Sequence, residues 1–587
     1  MRNIRRPHPM QRLMRQLGTG LCIVIAMITA PISGGINARA ATTPTTPAPL
    51  VPGLCTASQS GVQFQPSCAA VAVGPAAQPA ATPCAPITMQ CPIWSDTFDG
   101  LGTSVDMAFA AATDGQGATL FAGGYTTDNS TSIPGLVVAY DMATGARRWV
   151  NKHTGALQAM LVSSLQASAD GSVVYAAGDQ YSGGFAPCGT DVFALDGSTG
   201  ALLWDSPLPV GDGGCPLYTD SVLSSDGTRL FVVSDIRDSQ VQSQGQPVEQ
   251  ALLAAFDTAT GQQLWIAHAP VSGYGYEHWR IAMAPDGSSV YVASGANSAT
   301  PESPVAWAVF AYAVTTGVAE WSTAYDCTRG GGVFCAMPAG IAAADGRVYV
   351  LGGNAVSELL ALSAQDGSRV WQTDLSPQQT NFVYVLNHPL ATGKHGEVYA
   401  GYYLLDLVSA PTGTINMGES FATARLSGTD GTLQWTQTMA GNTPGNGTYC
   451  GGCGPILASD PSGNHVYVSG AYPLGDSLLT TESLNATSGA VEWSGLYAWS
   501  AGALVDQLPE AIVAPSSGGA AIVGGANNAA DSNPVLTCSI CYDFAALVYP
   551  GAASAPAQIP DSHFALLLPL AGVVMALPVL RRRRRRI

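Results

Sequence analysis

Lysine is nearly absent from this sequence. Only Lys152 and Lys394 occur among its 587 residues, and charged residues of all kinds make up 11% of the chain. Between residues 41 and 580, 11 basic residues stand against 40 acidic ones, which leaves a formal charge of −29. Because an acidic surface repels phosphate backbones, we expect no nucleic-acid partner.

Motifs of several common reaction types are missing as well. The chain has no phosphate-binding loop, no Ser-His-Asp motif and no paired-carboxylate motif above the level of chance. Its 67 glycines and 39 prolines suit many short strands and turns and do not suit long helices. The composition therefore predicts a β-rich chain and names no reaction.

What the chain does have is a repeat. The segment VVAYDMATGARRWV, residues 137–150, reads as an apolar strand, a turn at Thr144-Gly145 and a strand that carries Trp149. The pattern recurs with 50 to 64 residues between neighbouring tryptophans. The seven tryptophans of the repeat are Trp149, Trp204, Trp265, Trp321, Trp371, Trp435 and Trp493. A repeat of this period decides the fold.

Each tryptophan segment is preceded by a second hairpin pattern. In VLSSDGTRLFVVSD, residues 222–235, an Asp-Gly turn separates two runs of β-forming residues. One unit thus predicts four antiparallel strands, which is the content of a β-propeller blade. Glycine supplies the positive φ of the Thr-Gly turn, and the tryptophan that follows falls on the outermost strand. We expect these indoles to be structural and to wedge between neighbouring blades.

In these residues the chain resembles the PQQ-like propeller repeat family, whose signature reads ALDxxTGxxxW. The segment DVFALDGSTGALLW, residues 191–204, shows the signature clearly. The resemblance covers about residues 91–550 and implies an all-β propeller. The family includes quinoprotein dehydrogenases, outer-membrane assembly scaffolds and surface proteins without a cofactor. It therefore implies a fold more strongly than an activity.

The number of blades follows from the two ends of the repeat. Seven units are complete, and an eighth begins at residue 510 but stops near residue 550 without a Thr-Gly turn or a tryptophan. Trp94, in CPIWSDTFDG, has no upstream turn and supplies the missing last strand. We predict eight blades with a ring closed by this N-terminal strand, which leaves no open edge. Seven blades is the alternative.

The ends of the chain predict export and anchoring. Residues 1–40 combine a basic region, an apolar core and a small-residue cleavage site, as in a signal peptide. Residues 41–90 read as a Pro-, Ala- and Thr-rich linker or cap, residues 91–550 as the propeller and residues 551–563 as a stalk. Residues 564–587 join an apolar stretch to six arginines, which predicts a transmembrane anchor with a cytoplasmic tail.

Twelve cysteines outside the signal peptide favour disulfides in an exported protein. Their spacing suggests six local pairs, although the sequence does not prove this connectivity. The pairs are Cys55 with Cys68, Cys84 with Cys91, Cys188 with Cys215, Cys327 with Cys335, Cys450 with Cys453 and Cys538 with Cys541. The two C-x-x-C motifs among them leave zinc open as an alternative, but we expect no metal.

The strand order predicts which face is functional. Loops between the second and third strands, and between blades, share one face and are the longer ones, as at residues 179–191, 235–250, 404–420 and 527–541. On the same face Tyr276, Glu277, His278 and Arg280 lead into the inner strand of blade four. They are the candidate ligand-binding residues, and the alternative is a hydrogen-bonded plug of the channel mouth.

We therefore expect an exported, membrane-anchored bacterial surface protein that binds a cell-surface protein or polysaccharide through its disulfide-tied loop face. A PQQ-like oxidoreductase and an inert envelope protein are the alternatives. The resemblance implies that a quinoprotein dehydrogenase would carry an adjacent cysteine pair, and a fused haem would need C-x-x-C-H. This chain has neither. We expect no enzyme activity and no cofactor, with PQQ and calcium as the alternative.

Overall fold

The structure is a computed structural model of the chain. It describes residues 62–64, 87–100, 105–127, 133–157, 159–181, 188–208, 219–243, 246–269, 279–296, 306–326, 338–352, 358–375, 381–384, 389–409, 415–439, 455–472, 478–497, 507–527 and 542–551. The predicted signal peptide and the predicted membrane anchor lie outside these residues. Within them, no helix is long and apolar enough to span a bilayer.

The described residues form 35 strands in eight sheets. Three short strands come first: β1 (Val62–Phe64), β2 (Ile87–Met89) and β3 (Trp94–Phe98). Blades one and two comprise β4 (Met107–Thr113), β5 (Thr119–Tyr125), β6 (Gly135–Asp141), β7 (Arg147–His153), β8 (Ala159–Ala167), β9 (Val173–Tyr181), β10 (Cys188–Asp196) and β11 (Leu202–Asp205). Blades three and four comprise β12 (Asp220–Leu223), β13 (Arg229–Ser243), β14 (Gln246–Asp257), β15 (Gln263–Ala269), β16 (Arg280–Met283), β17 (Ser289–Ala296), β18 (Ala306–Ala313) and β19 (Ala319–Asp326).

The second half of the ring repeats the same plan. Blades five and six comprise β20 (Pro338–Ala344), β21 (Arg347–Gly352), β22 (Glu358–Ser363), β23 (Arg369–Asp374), β24 (Asn381–Tyr384), β25 (Leu390–Thr392), β26 (Glu397–Ser409), β27 (Ile415–Ser427) and β28 (Leu433–Met439). Blades seven and eight comprise β29 (Ile456–Ser459), β30 (His465–Tyr472), β31 (Leu478–Asn485), β32 (Val491–Tyr497), β33 (Gln507–Val513), β34 (Ala520–Asn527) and β35 (Tyr542–Tyr549). The eight blades confirm the predicted all-β propeller.

Burial explains why the strands of one blade differ in sequence. Strands β5 and β6 are buried along almost their whole length because neighbouring blades cover both of their faces. Strand β7 is exposed except at Trp149 and a few half-buried positions, so it is the outer strand. The core accordingly lies between blades. Phe121 and Val137 of blade one, for example, share a cluster with Val162 and Phe193 of blade two.

The ring closes through the N-terminal strand. Strand β3 pairs antiparallel with β35, and the register places Trp94 opposite Val548. The last blade therefore takes three strands from the end of the repeat and one from its beginning. This confirms the predicted closure of an eight-bladed ring, in which the N-terminal strand completes the fourth strand of the last blade.

Tryptophans join the blades in a regular way. The indole N–H of the outer strand donates a hydrogen bond to a backbone carbonyl of the next blade at seven junctions. The pairs are Trp94 with Met142 (2.7 Å), Trp149 with Gly197 (2.9 Å), Trp204 with Thr258 (3.0 Å), Trp265 with Val314 (3.1 Å), Trp321 with Ala364 (2.9 Å), Trp371 with Gly428 (2.9 Å) and Trp435 with Ala486 (3.1 Å).

The Thr-Gly turn has a second purpose at these junctions. Gly200 has a φ of 72°, and a Cβ atom there would lie 2.6 Å from the ring of Trp149 in the preceding blade. Glycine is required both for the left-handed backbone and for the close approach of the indole. Within one repeat, the glycine of the turn thus contacts the preceding blade, whereas the tryptophan contacts the next blade.

The junction between blades seven and eight is different. The indole nitrogen of Trp493 has no acceptor among the described residues. Its ring stacks on Tyr549 of blade eight, with centroids 5.1 Å apart and planes inclined by 28°. Blade eight has no Thr-Gly turn, because its outer strand comes from the other end of the chain. Aromatic stacking therefore replaces the indole hydrogen bond at this one junction.

Two short strands of the predicted linker also belong to the sheet structure. Strand β2 pairs parallel with β32, the outer strand of blade seven, with Thr88 opposite Trp493. Strand β1 pairs antiparallel with β2. They extend blade seven to six strands and cover its outer edge, next to the junction that lacks the indole hydrogen bond.

Candidate binding face

We call the side of the ring at which the inner strands begin the long-loop face. It is marked by the first residues of four inner strands, Met107, Asp220, Arg280 and Pro338. The second strand of each blade runs towards this face and the third strand runs away from it. Connections between these two strands therefore rise from the long-loop face, while the Asp-Gly and Thr-Gly turns lie on the opposite side.

Blade three carries a long hairpin on this face. Strands β13 and β14 have 15 and 12 residues, whereas the inner strand β12 has four. The inner strand pairs only as far as Val233, and the outer strand β15 only as far as Ala251. Residues 236–243 and 246–250 thus form the two arms of a hairpin, which pair only with each other among the described strands. At about 3.3 Å per residue, its five-residue arm from 246 to 250 limits the reach of the hairpin to about 17 Å beyond the blade.

Blade six carries a second long hairpin. Strands β26 and β27 have 13 residues each and pair along their full length, from Glu397 opposite Ser427 to Ser409 opposite Ile415. The added strand β24 covers one edge through the pairing of Asn381 with Asp406. On the other edge, β28 pairs only as far as Phe421, so residues 415–420 have no outer partner within the described chain. The sequence predicted long loops at 235–250 and 404–420, and the structure continues strands through most of both.

Polar contacts join the inner strands below this face. Ser164 of blade two and Ser221 of blade three share a hydrogen bond of 2.8 Å. The carboxylate of Asp220 accepts a hydrogen bond of 3.3 Å from the backbone N–H of Ile281 in blade four. The guanidinium Nε of Arg280 donates at 3.1 Å to the carbonyl of Ala339 in blade five. These contacts connect four consecutive blades around the mouth of the channel.

Arg280, one of the candidate ligand-binding residues, takes part in this network. It is 6% exposed, and besides the bond to Ala339 its Nη1 donates at 3.0 Å to the carbonyl of Trp279. Trp279 is completely buried in the core between blades three and four. The described contacts of Arg280 therefore hold blades together. The other three candidates, Tyr276, Glu277 and His278, lie outside the described residues.

The predicted disulfides fall mostly outside the described part of the chain. Cys91 is disulfide-bonded and buried, immediately before the ring-closing strand. Cys188 is the first residue of β10, on the long-loop face. The remaining cysteines of the predicted pairs are not among the described residues, and the six pairings stay predictions.

The sequence analysis missed a cluster of His153, Asp191 and Asp205. His153 ends the outer strand of blade one, Asp205 ends the outer strand of blade two, and Asp191 lies near the start of β10. The imidazole Nε2 is 3.0 Å from Asp191 and 3.7 Å from Asp205. Burial and the neighbouring carboxylate of Asp191 raise the pKa of Asp205 to about 6. The only signal in the sequence is that both outer strands end in an ionisable residue.

A second acidic group lies where the ring closes. Asp99, Asp106 and Asp543 place carboxylate oxygens within 4.8 Å of one another. Asp106 is fully buried and accepts hydrogen bonds of 2.8 Å from the backbone N–H groups of Gly100 and Thr127. Burial raises the pKa of Asp106. These bonds tie the segment after β3 to blade one, which gives the group a structural role in ring closure.

Comparison with known proteins gives one family. A family model described as outer membrane protein assembly factor BamB matches residues 110–323, 249–414 and 309–495, which together span more than half of the chain. No curated protein matches the chain.

Several solved propellers are similar in structure at low identity. BamB from Moraxella catarrhalis is 14% identical, with 79% of this chain and 100% of that chain covered and a TM-score of 0.42. A quinohemoprotein alcohol dehydrogenase from Pseudomonas putida is 13% identical, with 80% and 77% covered and a TM-score of 0.44. The WD40 domain of SCAP from fission yeast is 10% identical, with 78% and 97% covered and a TM-score of 0.40.

Proposed function

The chain belongs to the family of the outer membrane protein assembly factor BamB, and from this membership we propose that it is a binding scaffold of the cell envelope. Its long-loop face receives a partner protein, and a surface polysaccharide is the alternative ligand. The family model describes an assembly factor, and a scaffold role needs surfaces rather than a reaction centre.

The observation that carries this proposal is the pair of long hairpins. The hairpin of blade three offers two unpaired edges, over residues 236–243 and 246–250, and that of blade six offers one over residues 415–420. An unpaired strand edge presents backbone N–H and C=O groups that another chain fills by adding a strand. Such recognition fits a protein partner, because a polysaccharide has no peptide backbone.

The rest of the ring supports these hairpins as a rigid base. Seven indole hydrogen bonds join the blades from Trp94 to Trp435. Inner-strand contacts such as that of Arg280 with Ala339 add further ties on the side from which the hairpins rise. The blades below the hairpins therefore have little ordering entropy left to lose when a partner binds.

The location that we propose is the outer face of a membrane. Support comes from the sequence alone: an N-terminal segment with the features of a signal peptide, and an apolar C-terminal stretch followed by six arginines. The resulting protein is exported and membrane-anchored, with disulfides that fix the loops of the binding face.

Truncation of one hairpin tests the proposal. Asp235 pairs with Ala251, so residues 236–250 can be replaced by Asn-Gly, which closes a two-residue hairpin at that pair. A photo-reactive residue is placed at Gln246 in the full-length protein, and in a second variant at Gln365 on the opposite face. Crosslinking is carried out in the host cell.

We expect crosslinked protein adducts from Gln246 and none from Gln365. We also expect the hairpin truncation to keep the melting temperature within a few degrees and to abolish adducts formed from a probe at Glu419, if both hairpins hold one partner. Equal adducts from the two faces, or adducts from Gln365 alone, contradict the proposed binding face.

A further inference from the structure

The cluster of His153, Asp191 and Asp205 lies on the outer rim of the ring, between blades one and two and near the long-loop face. It is separate from the hairpins and from the channel mouth. The ligand atoms of the three side chains all lie within 4.8 Å of one another. The group combines one imidazole nitrogen with two carboxylates, which are donors that bind divalent transition metals.

The charges of this cluster do not balance without a further cation. The side chain of Asp191 is 1% exposed, and Asp205 shares the same site. In the described structure, no arginine or lysine forms an ion pair with either carboxylate, and His153 contributes at most one positive charge. A buried carboxylate without a full counter-charge is costly, which favours a bound cation at this site.

The distances suit a small tetrahedral ion. Ligands held at about 2.0–2.1 Å from one tetrahedral ion lie about 3.3 Å apart. The Nε2 atom of His153 lies 3.0 Å from Asp191 and 3.7 Å from Asp205, on either side of that value. We propose that His153, Asp191 and Asp205 bind one Zn²⁺-like divalent cation, which ties the outer strand of blade one to blade two.

The surroundings hold the ligands in place. The imidazole of His153 stacks on Phe193, with ring centroids 4.2 Å apart. Asp191 leaves no room for a side chain on the facing Gly155, where a Cβ would lie 2.6 Å from its Oδ2. Oε1 of the buried Gln180 accepts hydrogen bonds of 3.0 Å from the backbone N–H groups of Ala156 and Leu157, which fixes the loop after His153. The side chain of Asp205 is 37% exposed, so water has access to the fourth position.

Zn²⁺ binding to the full-length protein tests the site. The protein is purified without a histidine tag, treated with a chelator and titrated with ZnCl₂ in a calorimeter, with CaCl₂ and MgCl₂ in parallel. We expect one Zn²⁺ to bind at this site. Ca²⁺ and Mg²⁺, which prefer oxygen ligands alone, should bind at least about tenfold more weakly. Saturating Zn²⁺ should also raise the melting temperature, because only the folded state holds the three ligands together.

Variants assign the binding to the three residues. Asp205→Asn keeps the shape of a partly exposed side chain and should weaken Zn²⁺ binding at least about tenfold. His153→Gln should do the same. The matched control is His465→Gln, because His465 contacts a single carboxylate, Glu492, at 2.7 Å. This control should leave the Zn²⁺ affinity unchanged.

Two results overturn the proposal. The first would be that the wild-type protein fails to bind Zn²⁺ after chelator treatment. The second would be that both variants bind Zn²⁺ as tightly as the wild type does, which would point to cysteine thiolates instead. If a variant unfolds, the Co²⁺-loaded wild type decides. Visible bands of tetrahedral nitrogen–oxygen coordination support the site, while their absence or a sulfur charge-transfer band refutes it.

Discussion

Trp493 stacks on Tyr549 across the junction of blades seven and eight, where the indole nitrogen has no acceptor in the described structure. Trp149, at the equivalent place between blades one and two, donates its N–H to the buried carbonyl of Gly197 at 2.9 Å. Both indoles are largely buried, at 5% and 9% exposure. The two tryptophans therefore differ chiefly in one hydrogen bond.

Replacement of these tryptophans by phenylalanine should have unequal effects. Trp149→Phe leaves the Gly197 carbonyl without its donor, which costs about 1–3 kcal/mol beyond the smaller ring. Trp493→Phe removes no hydrogen bond and should cost less by about that amount. Urea unfolding of the two variants measures the difference. Equal losses of stability would show that the indole hydrogen bonds do not hold the blades together.

Two glycines with the same backbone conformation separate strain from crowding. Gly200 and Gly227 have φ values of 72° and 70°. A Cβ at Gly200 would lie 2.6 Å from Trp149, whereas nothing lies within 4 Å of one at Gly227. Gly227→Ala should cost about 1–2 kcal/mol for the left-handed backbone alone. Gly200→Ala should lower the melting temperature several degrees further, and similar losses for both would contradict the crowding.

The buried carboxyl of Glu482 should make the protein less stable above neutral pH. Burial raises its pKa to about 7, against about 4.3 in the unfolded chain. The stabilisation is complete below pH ~4 and is lost as the pH rises to about 7. Glu482→Gln removes this titration, so the variant should gain melting temperature relative to the wild type at pH 8 but not at pH 4. A constant difference at both pH values would rule out Glu482 as the cause.

The exposed turn aspartates should act in the opposite direction. Hydrogen bonds from the Ser198 and Thr199 side chains and from the backbone N–H of Thr199 lower the pKa of Asp196 to about 2. The stability that this gives is present above the unfolded pKa of about 3.9 and is lost as the pH falls towards 2. Asp196→Asn should therefore lose less melting temperature than the wild type between pH 4 and pH 2. A parallel loss in both proteins would exclude this turn from acid unfolding.

A quinone cofactor should not bind. The chain has no adjacent cysteine pair, and the described donors of Arg280 are engaged with backbone carbonyls at the channel mouth. Addition of PQQ with calcium, compared with calcium alone, should leave the absorbance spectrum and the melting temperature of the repurified protein unchanged. A retained quinone chromophore would instead favour the oxidoreductase alternative.

The repeat predicted the architecture because seven complete units share the same pattern. It also located the ring closure, since Trp94 has the residues that follow the turn in each repeat but no Thr-Gly turn before it. The pairing of β2 with β32 was not predictable, because a three-residue strand such as Ile87–Met89 does not specify which edge it joins. The apparent loops at 235–250 and 404–420 were misread because their polar residues alternate too weakly to indicate strands that protrude into solvent.

The His153 cluster escaped the sequence analysis for a geometric reason. His153 lies four residues after the tryptophan of its blade, whereas Asp205 directly follows Trp204. An alignment of the repeats therefore does not place them together. Asp191 belongs to a different strand again, and only the stacking of blade one on blade two brings the three side chains to one point.

Ring closure joins the strand of the propeller that is synthesised first to the strand that is synthesised last. Trp94 is synthesised about 450 residues before its partner Val548, which at ~5–20 residues per second corresponds to about 20–90 seconds. During that time β3 lacks its partner strand, and the ring cannot close before β35 has been synthesised. A pause or a truncation before β35 thus leaves seven complete blades and an open ring. Until β35 pairs with it, β3 has an unpaired edge that can pair with another chain.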